Sequence, residues 1–213
     1  MSKERYIEAK QKWAEKQKAR GVRAQEVASR DRLPPGQKLT TSFPVLDLGV
    51  QPEISVEKWR LKIDGQVEHP AELTWEQFNA LPQVEDVSDF HCVTTWSRYD
   101  CRWGGVAFTT LYELVKPRPE AKFVYFSGYD GYSTNVTLEH CLDDDVLVAT
   151  SFDGKPVTRE HGGPARVILP KLYAWKGSKF VSGITFLEHD KLGFWEVRGY
   201  SNTADPWTED RYA

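Results

Sequence analysis

One strand-like run ends on a cysteine, and that junction constrains this chain more than any other feature. Val84 to His91 reads as a strand, Cys92 follows, and then come Val93-Thr94-Thr95-Trp96-Ser97 and a Trp103-Gly104-Gly105-Val106 run read as a break. A thiol at the mouth of a strand is placed to reach a ligand, because loops carried by a rigid scaffold are where binding groups concentrate. Cys92 is therefore read as the ligand of a bound metal cofactor. A buried, inert cysteine is the bland alternative. A Cys-His nucleophile pair with His91 or His161 lacks an evident third group to orient it.

The 213 residues suffice for one large domain or two small ones. Eight tryptophans favour a folded protein with a deep pocket over a disordered chain. The net charge of −3 gives no bulk basicity for nucleic acid. The three cysteines have no regular spacing, so neither a disulfide framework nor a zinc site is implied. Met1-Ser2-Lys3-Glu4-Arg5 shows no apolar leader and no twin arginine. No apolar run approaches the roughly 20 residues of a spanning helix. A cytoplasmic protein without a membrane span is expected.

Residues 1–32 read as an N-terminal helical arm, helical over 3–28, with nine Lys/Arg against four Asp/Glu in residues 1–30. Leu33-Pro34-Pro35-Gly36 breaks it, and residues 33–213 form the main domain. Thr40 to Pro52 is an extended connector. Trp59 to Gly65 alternates as a strand. Leu73 to Leu81 reads as a short helix with a Thr74/Gln77 capping box. Phe108 to Val115 reads as a helix capped by Thr109 or Thr110. Strands are expected over 122–127, 146–152, 165–170 and 180–188. Between them lies a 128–132 turn with two exposed tyrosines, Tyr129 and Tyr132, and a short helix begins at Thr137. The tail from Phe194 is aromatic and irregular. These mixed strands and short helices lack the regular alternation of a doubly wound sheet, so the fold class is α+β.

A second informative stretch is His161-Gly162-Gly163-Pro164-Ala165-Arg166, followed by Lys176-Gly177-Ser178-Lys179. Arginine forks onto phosphate, and a cationic Gly-Ser loop makes an anion nest. With a thiol, this set suits an anionic, sulfur-rich metal cofactor.

Taken together, Cys92 to Ser97, the Trp103-Gly104-Gly105-Val106 run, and the His161-to-Arg166 and Lys176-to-Lys179 motifs resemble the molybdopterin-binding domain of the sulfite oxidase family. The likeness is strongest to its small bacterial and archaeal members, with the periplasmic methionine-sulfoxide reductase more distant. It covers about Thr40 to Trp207. It implies a mixed-sheet α+β fold with a single catalytic domain and a Mo-molybdopterin cofactor whose metal is held by Cys92. It also implies cofactor contacts at Ser42, Phe43, Ser127, His161, Arg166, Gly177, Ser178 and Lys179, with Lys176 beside them. Apart from the resemblance, Tyr129 or Tyr132 could hydrogen-bond a substrate or equally cover the core rim, with Tyr129 the catalytic candidate beside Cys92, and Trp96 and Trp103 are read as pocket walls rather than electron relays. The implied activity is oxygen-atom transfer to or from a small molecule, with electrons exchanged with a partner yet to be identified. A non-catalytic cofactor carrier of the same fold is the rival. Sulfite oxidases carry an arginine-rich Cys-Ala-Gly-Asn-Arg-Arg loop. Here Val-Thr-Thr-Trp-Ser follows Cys92, which puts sulfite in question, since an oxyanion wants clustered cations.

Overall fold

Strands dominate residues 32–213, the part of the chain described in the computed structural model. The arm expected over residues 1–32 lies outside them except for Arg32. The first elements are β1 (Lys38–Leu39), β2 (Arg60–Gly65), β3 (Ala71–Thr74), α1 (Trp75–Asn79), β4 (Gln83–Cys92), β5 (Trp96–Ala107) and α2 (Phe108–Val115). There follow β6 (Phe123–Gly128), β7 (Ser133–Thr137), α3 (Leu138–Cys141), β8 (Leu147–Phe152), β9 (Lys155–Pro156), β10 (Arg166–Ile168) and β11 (Val181–Leu187). One sheet runs β3-β2-β11-β6-β7, with β11 parallel to β2 and antiparallel to β6. The other runs β1-β5-β8-β10, with β4 and β9 paired onto β5 and β8. This is the mixed-sheet α+β architecture that the sequence implied.

Local chemistry accounts for several boundaries. Thr74 caps α1, and Gln77 returns the bond to the Thr74 amide, closing the expected capping box. The start of that segment differs from expectation, because Leu73 belongs to β3 and pairs with Leu61. The helix α2 has the expected span but no side-chain cap. Its N-cap is Ala107, and it ends on Lys116 in the left-handed region at φ 48°.

The largest departure is β5. Trp103-Gly104-Gly105 is not a break but the middle of the longest described strand. The glycines are there for close approach, since a Cβ on Gly105 would stand 2.1 Å from the Val148 carbonyl oxygen across the ladder. β7 carries no apolar strand signal either, because Ser133-Thr134-Asn135 is polar. Thr134 and Asn135 are nevertheless buried.

Both sheets and α2 feed one main core, built around Trp59, Leu61, Phe108, Leu111, Phe126, Val148 and Phe186. A second, aromatic core of Tyr132, Tyr173, Trp175, Trp195 and Tyr200 joins the irregular tail to the body. Cys101 and Cys141 are fully buried, and burial pushes both thiols up, Cys101 to about 12. Both are packed as core residues.

Candidate cofactor cleft

The β4–β5 hairpin delivers the thiol. Cys92 is the last residue of β4, pairs with Trp96 across the turn, and is 6% exposed. The three-residue connection Val93-Thr94-Thr95 closes with Thr95 at φ 71°. Glycine commonly takes that place in such hairpins, and a β-branched residue there is a genuine outlier. The turn is held from both sides. The Thr95 amide donates to the Cys92 carbonyl at 3.1 Å, and so does the buried Gln37 Nε2, also at 3.1 Å. The Lys38 amide donates to the Thr95 carbonyl at 2.9 Å. The sulfur itself lies 3.0 Å from Thr94 Oγ1.

The cations come from the second motif. Arg166 opens β10 and is almost wholly buried. Its Nη1 donates to the His161 carbonyl at 2.9 Å, while its Nε is buried with no hydrogen-bond partner. Its guanidinium sits 5.4 Å from the centroids of both Phe90 and Trp103. Burial pulls Arg166 down to about 10. Burial, reinforced by Arg166, brings Lys179 to about 8, and its Nζ donates to the Glu160 carbonyl at 2.8 Å. His161 is lowered as well, by burial first and then by Lys179 and Arg166, and its ring stacks on Phe43 at 4.4 Å. The local glycines make this packing possible. Gly162 stands at φ 100°, and a Cβ there would press on the Lys179 side chain; one on Gly177 would lie 2.5 Å from the Val167 carbonyl.

Cys92, His161, Arg166, Gly177, Lys179 and Phe43 all line one cleft of about 790 Å³, counting its open mouth. Six of the residues singled out from sequence are thus brought together. Trp96 lines it too, as expected of a pocket wall. Others lie elsewhere. Ser178 is fully buried and its hydroxyl donates to the Lys179 carbonyl at 3.3 Å. Ser42 pairs its hydroxyl with Thr40 at 2.8 Å. Ser127 lies in β6 against Gly183 of β11. Lys176 does not face the cleft either. It is completely buried against Glu196 at 2.8 Å and the Asn135 carbonyl at 2.9 Å. Trp103 is packed inside the protein with Phe152 at 4.5 Å.

The two tyrosines of the 128–132 turn, both expected to be exposed, part company: Tyr129 is exposed and Tyr132 is buried. The Tyr129 hydroxyl donates to the Arg60 carbonyl and accepts from the Arg60 amide, away from the cleft. Tyr132 is buried, lines the cleft, and donates its hydroxyl to the Trp175 carbonyl. With Trp175, Trp195 and Tyr200 it makes an aromatic wall that sequence reasoning missed. The signal was the aromatic density of the tail, but nothing local says which rings fold back. The loop over the cleft, through Pro44, Leu46, Asp47 and Leu48, supplies another wall.

A buried arginine, a half-buried lysine, an imidazole with a lowered pKa and a thiol lining one cleft define a site for a large anionic group with a thiophilic centre. The sequence comparisons agree. Residues 48–195 match the family described as the oxidoreductase molybdopterin binding domain, and the chain belongs to that family. It is 41% identical over 182 residues to an uncharacterized oxidoreductase, YuiH, of Bacillus subtilis (strain 168), covering 85% of this chain and 92% of that one. It is 27% identical to the protein-methionine-sulfoxide reductase catalytic subunit MsrP of Campylobacter jejuni, over 67% of this chain and 53% of that protein. Among solved structures it resembles the sulfane dehydrogenase SoxCD of Paracoccus pantotrophus, with a TM-score of 0.64 at 19% identity. That match covers 85% of this chain and 54% of the SoxCD chain. The chain therefore spans about half the length of those last two proteins and nearly all of YuiH.

The protein is an oxidoreductase and its cofactor is Mo-molybdopterin. The residues present fit that group. Arg166 keeps a buried guanidinium nitrogen without a partner, a costly arrangement unless an acceptor arrives. Among the described residues no three His, Cys, Asp or Glu side chains gather as a metal cage. A metal at this cleft would be carried in by its own organic ligand.

Proposed function

We propose that this protein transfers an oxygen atom to or from a small molecule at a molybdenum ligated by Cys92. The observation that carries the reading is the Cys92 thiol and the partnerless Arg166 Nε on one cleft. When bound, the cofactor supplies the two-electron redox chemistry and the oxygen-accepting centre. The chain supplies the rest. Cys92 offers a soft thiolate, suited to a metal already bound through sulfur. Arg166 and Lys179 neutralise and hold the anionic end. With its pKa lowered, His161 presents a neutral imidazole that can donate to the pterin from one ring nitrogen. Phe43 keeps that ring in place by stacking.

The wall of Tyr132, Trp175, Trp195 and Tyr200 excludes water and gives the substrate an apolar surface. Asp47 and Asp130 are the acidic side chains on the cleft. With both cations committed to the cofactor, this lining suits an uncharged substrate better than an oxyanion such as sulfite. The electron partner is a separate molecule, and the working compartment is the cytoplasm.

The test is reduction of a panel of sulfoxides and N-oxides by dye-supplied electrons. Each turnover consumes two electrons and two protons and releases water. Turnover that vanishes in Cys92→Ala supports the reading. A fully loaded protein that is inert across the panel, and equally inert when run as an oxidase of the reduced compounds, would make it a cofactor carrier instead.

A further inference from the structure

The turn after Cys92 is held more firmly than a hairpin requires. Its carbonyl groups are tied to Gln37 and Lys38, and Thr95 is kept in the left-handed region against the preference of its side chain. Backbone strain of this kind persists only where the surroundings over-determine it, and it gathers at functional sites. What the strained turn fixes here is the Thr94 hydroxyl, 3.0 Å from the Cys92 sulfur.

We propose that Thr94 is a positioning residue for the Cys92 sulfur, whose hydroxyl donates a hydrogen bond to the thiolate, orients it, and makes it a weaker electron donor to bound molybdenum. This rests on the reading of Cys92 as the metal ligand. A thiolate has no proton to give, so in that state the oxygen donates and the sulfur accepts. Such a bond to an ionised acceptor is stronger than a neutral one. Hydrogen bonds to ligating sulfur are among the levers that set a metal's potential. Electron density drawn toward the O–H is withheld from the metal, so the reduced metal is favoured and the potential rises.

The experiment uses holoprotein made with ample molybdate: wild type, Thr94→Val, Thr94→Ser and Cys92→Ala. Bound molybdenum is measured, and the midpoint potential is read by potentiometric titration of the metal's paramagnetic signal. Valine keeps the shape of threonine and removes the hydroxyl; serine keeps the hydroxyl. Thr94→Val is expected to shift the midpoint to more negative potential, or to lose metal while remaining folded by circular dichroism. Thr94→Ser should stay at the wild-type value. If valine does not fold there, Thr94→Ala carries the same comparison. A wild-type potential and metal content in the hydroxyl-free variant, or the same shift in serine as in valine, overturns the proposal. Should Cys92→Ala alone keep both metal and potential, the ligand reading falls and takes this one with it. An altered Cys92→Ala beside an unaltered Thr94→Val overturns the role of Thr94 only.

Discussion

Arg166 shows most clearly that the cleft is built for something other than stability. A buried guanidinium whose Nε finds no acceptor costs folding free energy, about 1–3 kcal/mol for the unsatisfied group. Arg166→Met should therefore raise the melting temperature of the cofactor-free protein while abolishing retention of molybdenum, measured by scanning calorimetry and elemental analysis. A purely structural arginine would give the opposite sign in the first measurement. Arg166→Lys should also lose cofactor, because an ammonium cannot reproduce the planar fork.

His91, next to the thiol, offers a pH test. Burial lowers its pKa to about 4 from the ordinary 6.5, and its Nδ1 lies 2.8 Å from Ser97 Oγ. The unfolded chain then binds the proton more readily than the folded one. The stability this contributes is complete above pH 6.5 and is lost as pH falls toward 4, about 3 kcal/mol in all. Denaturant melts of cofactor-free protein across that window should show the slope, and His91→Gln should flatten it. At this scale the sequence was legible where chemistry is local to a motif, as at Cys92, His161 and Arg166. Tyr129 and Tyr132 could not be told apart, because the Tyr129 partner is the Arg60 backbone, 69 residues away in the chain.

Among the elements, the strand β5 and the 3-10 turn Ala174–Lys176 carry the sharpest expectations. A side chain at Gly105 would collide with the backbone of β8, so Gly105→Val should cost more than the 1–3 kcal/mol typical of overpacking. The 3-10 turn is anchored by Glu196, which accepts from Lys176, from Trp175 Nε1 at 3.1 Å and from Thr134 at 2.9 Å. Removing one partner of a fully buried pair leaves the other charge stranded. Lys176→Met should lower stability by about 3–5 kcal/mol in a denaturant titration, far beyond the effect of removing a surface lysine.

Here the sequence was legible in alternation and caps and misleading in composition. The strands over 60–65, 123–128 and 181–187 follow from their apolar periodicity. Gly104-Gly105 reads as a break and Ser133-Thr134-Asn135 carries no strand signal, because glycine and small polar residues are usually irregular. In this molecule they are strand residues, their close approach or polarity satisfied by neighbours distant in sequence.

For the molecule as a whole, two sheets share one main core, and the aromatic core of the tail closes the remaining side of the cleft. The pairing of β2 with β11 joins residues about 120 apart, which no local pattern announces. The family resemblance implied the mixed-sheet class but not this pairing. We propose that this architecture brings the Cys92 sulfur and the buried Arg166 to a single molybdenum cofactor. X-ray absorption at the molybdenum edge tests it most directly, on protein made in a molybdate-replete host. Wild type is expected to bind the metal with one more sulfur scatterer than Cys92→Ala. Equal sulfur counts in the two proteins, with molybdenum retained in both, would contradict the account.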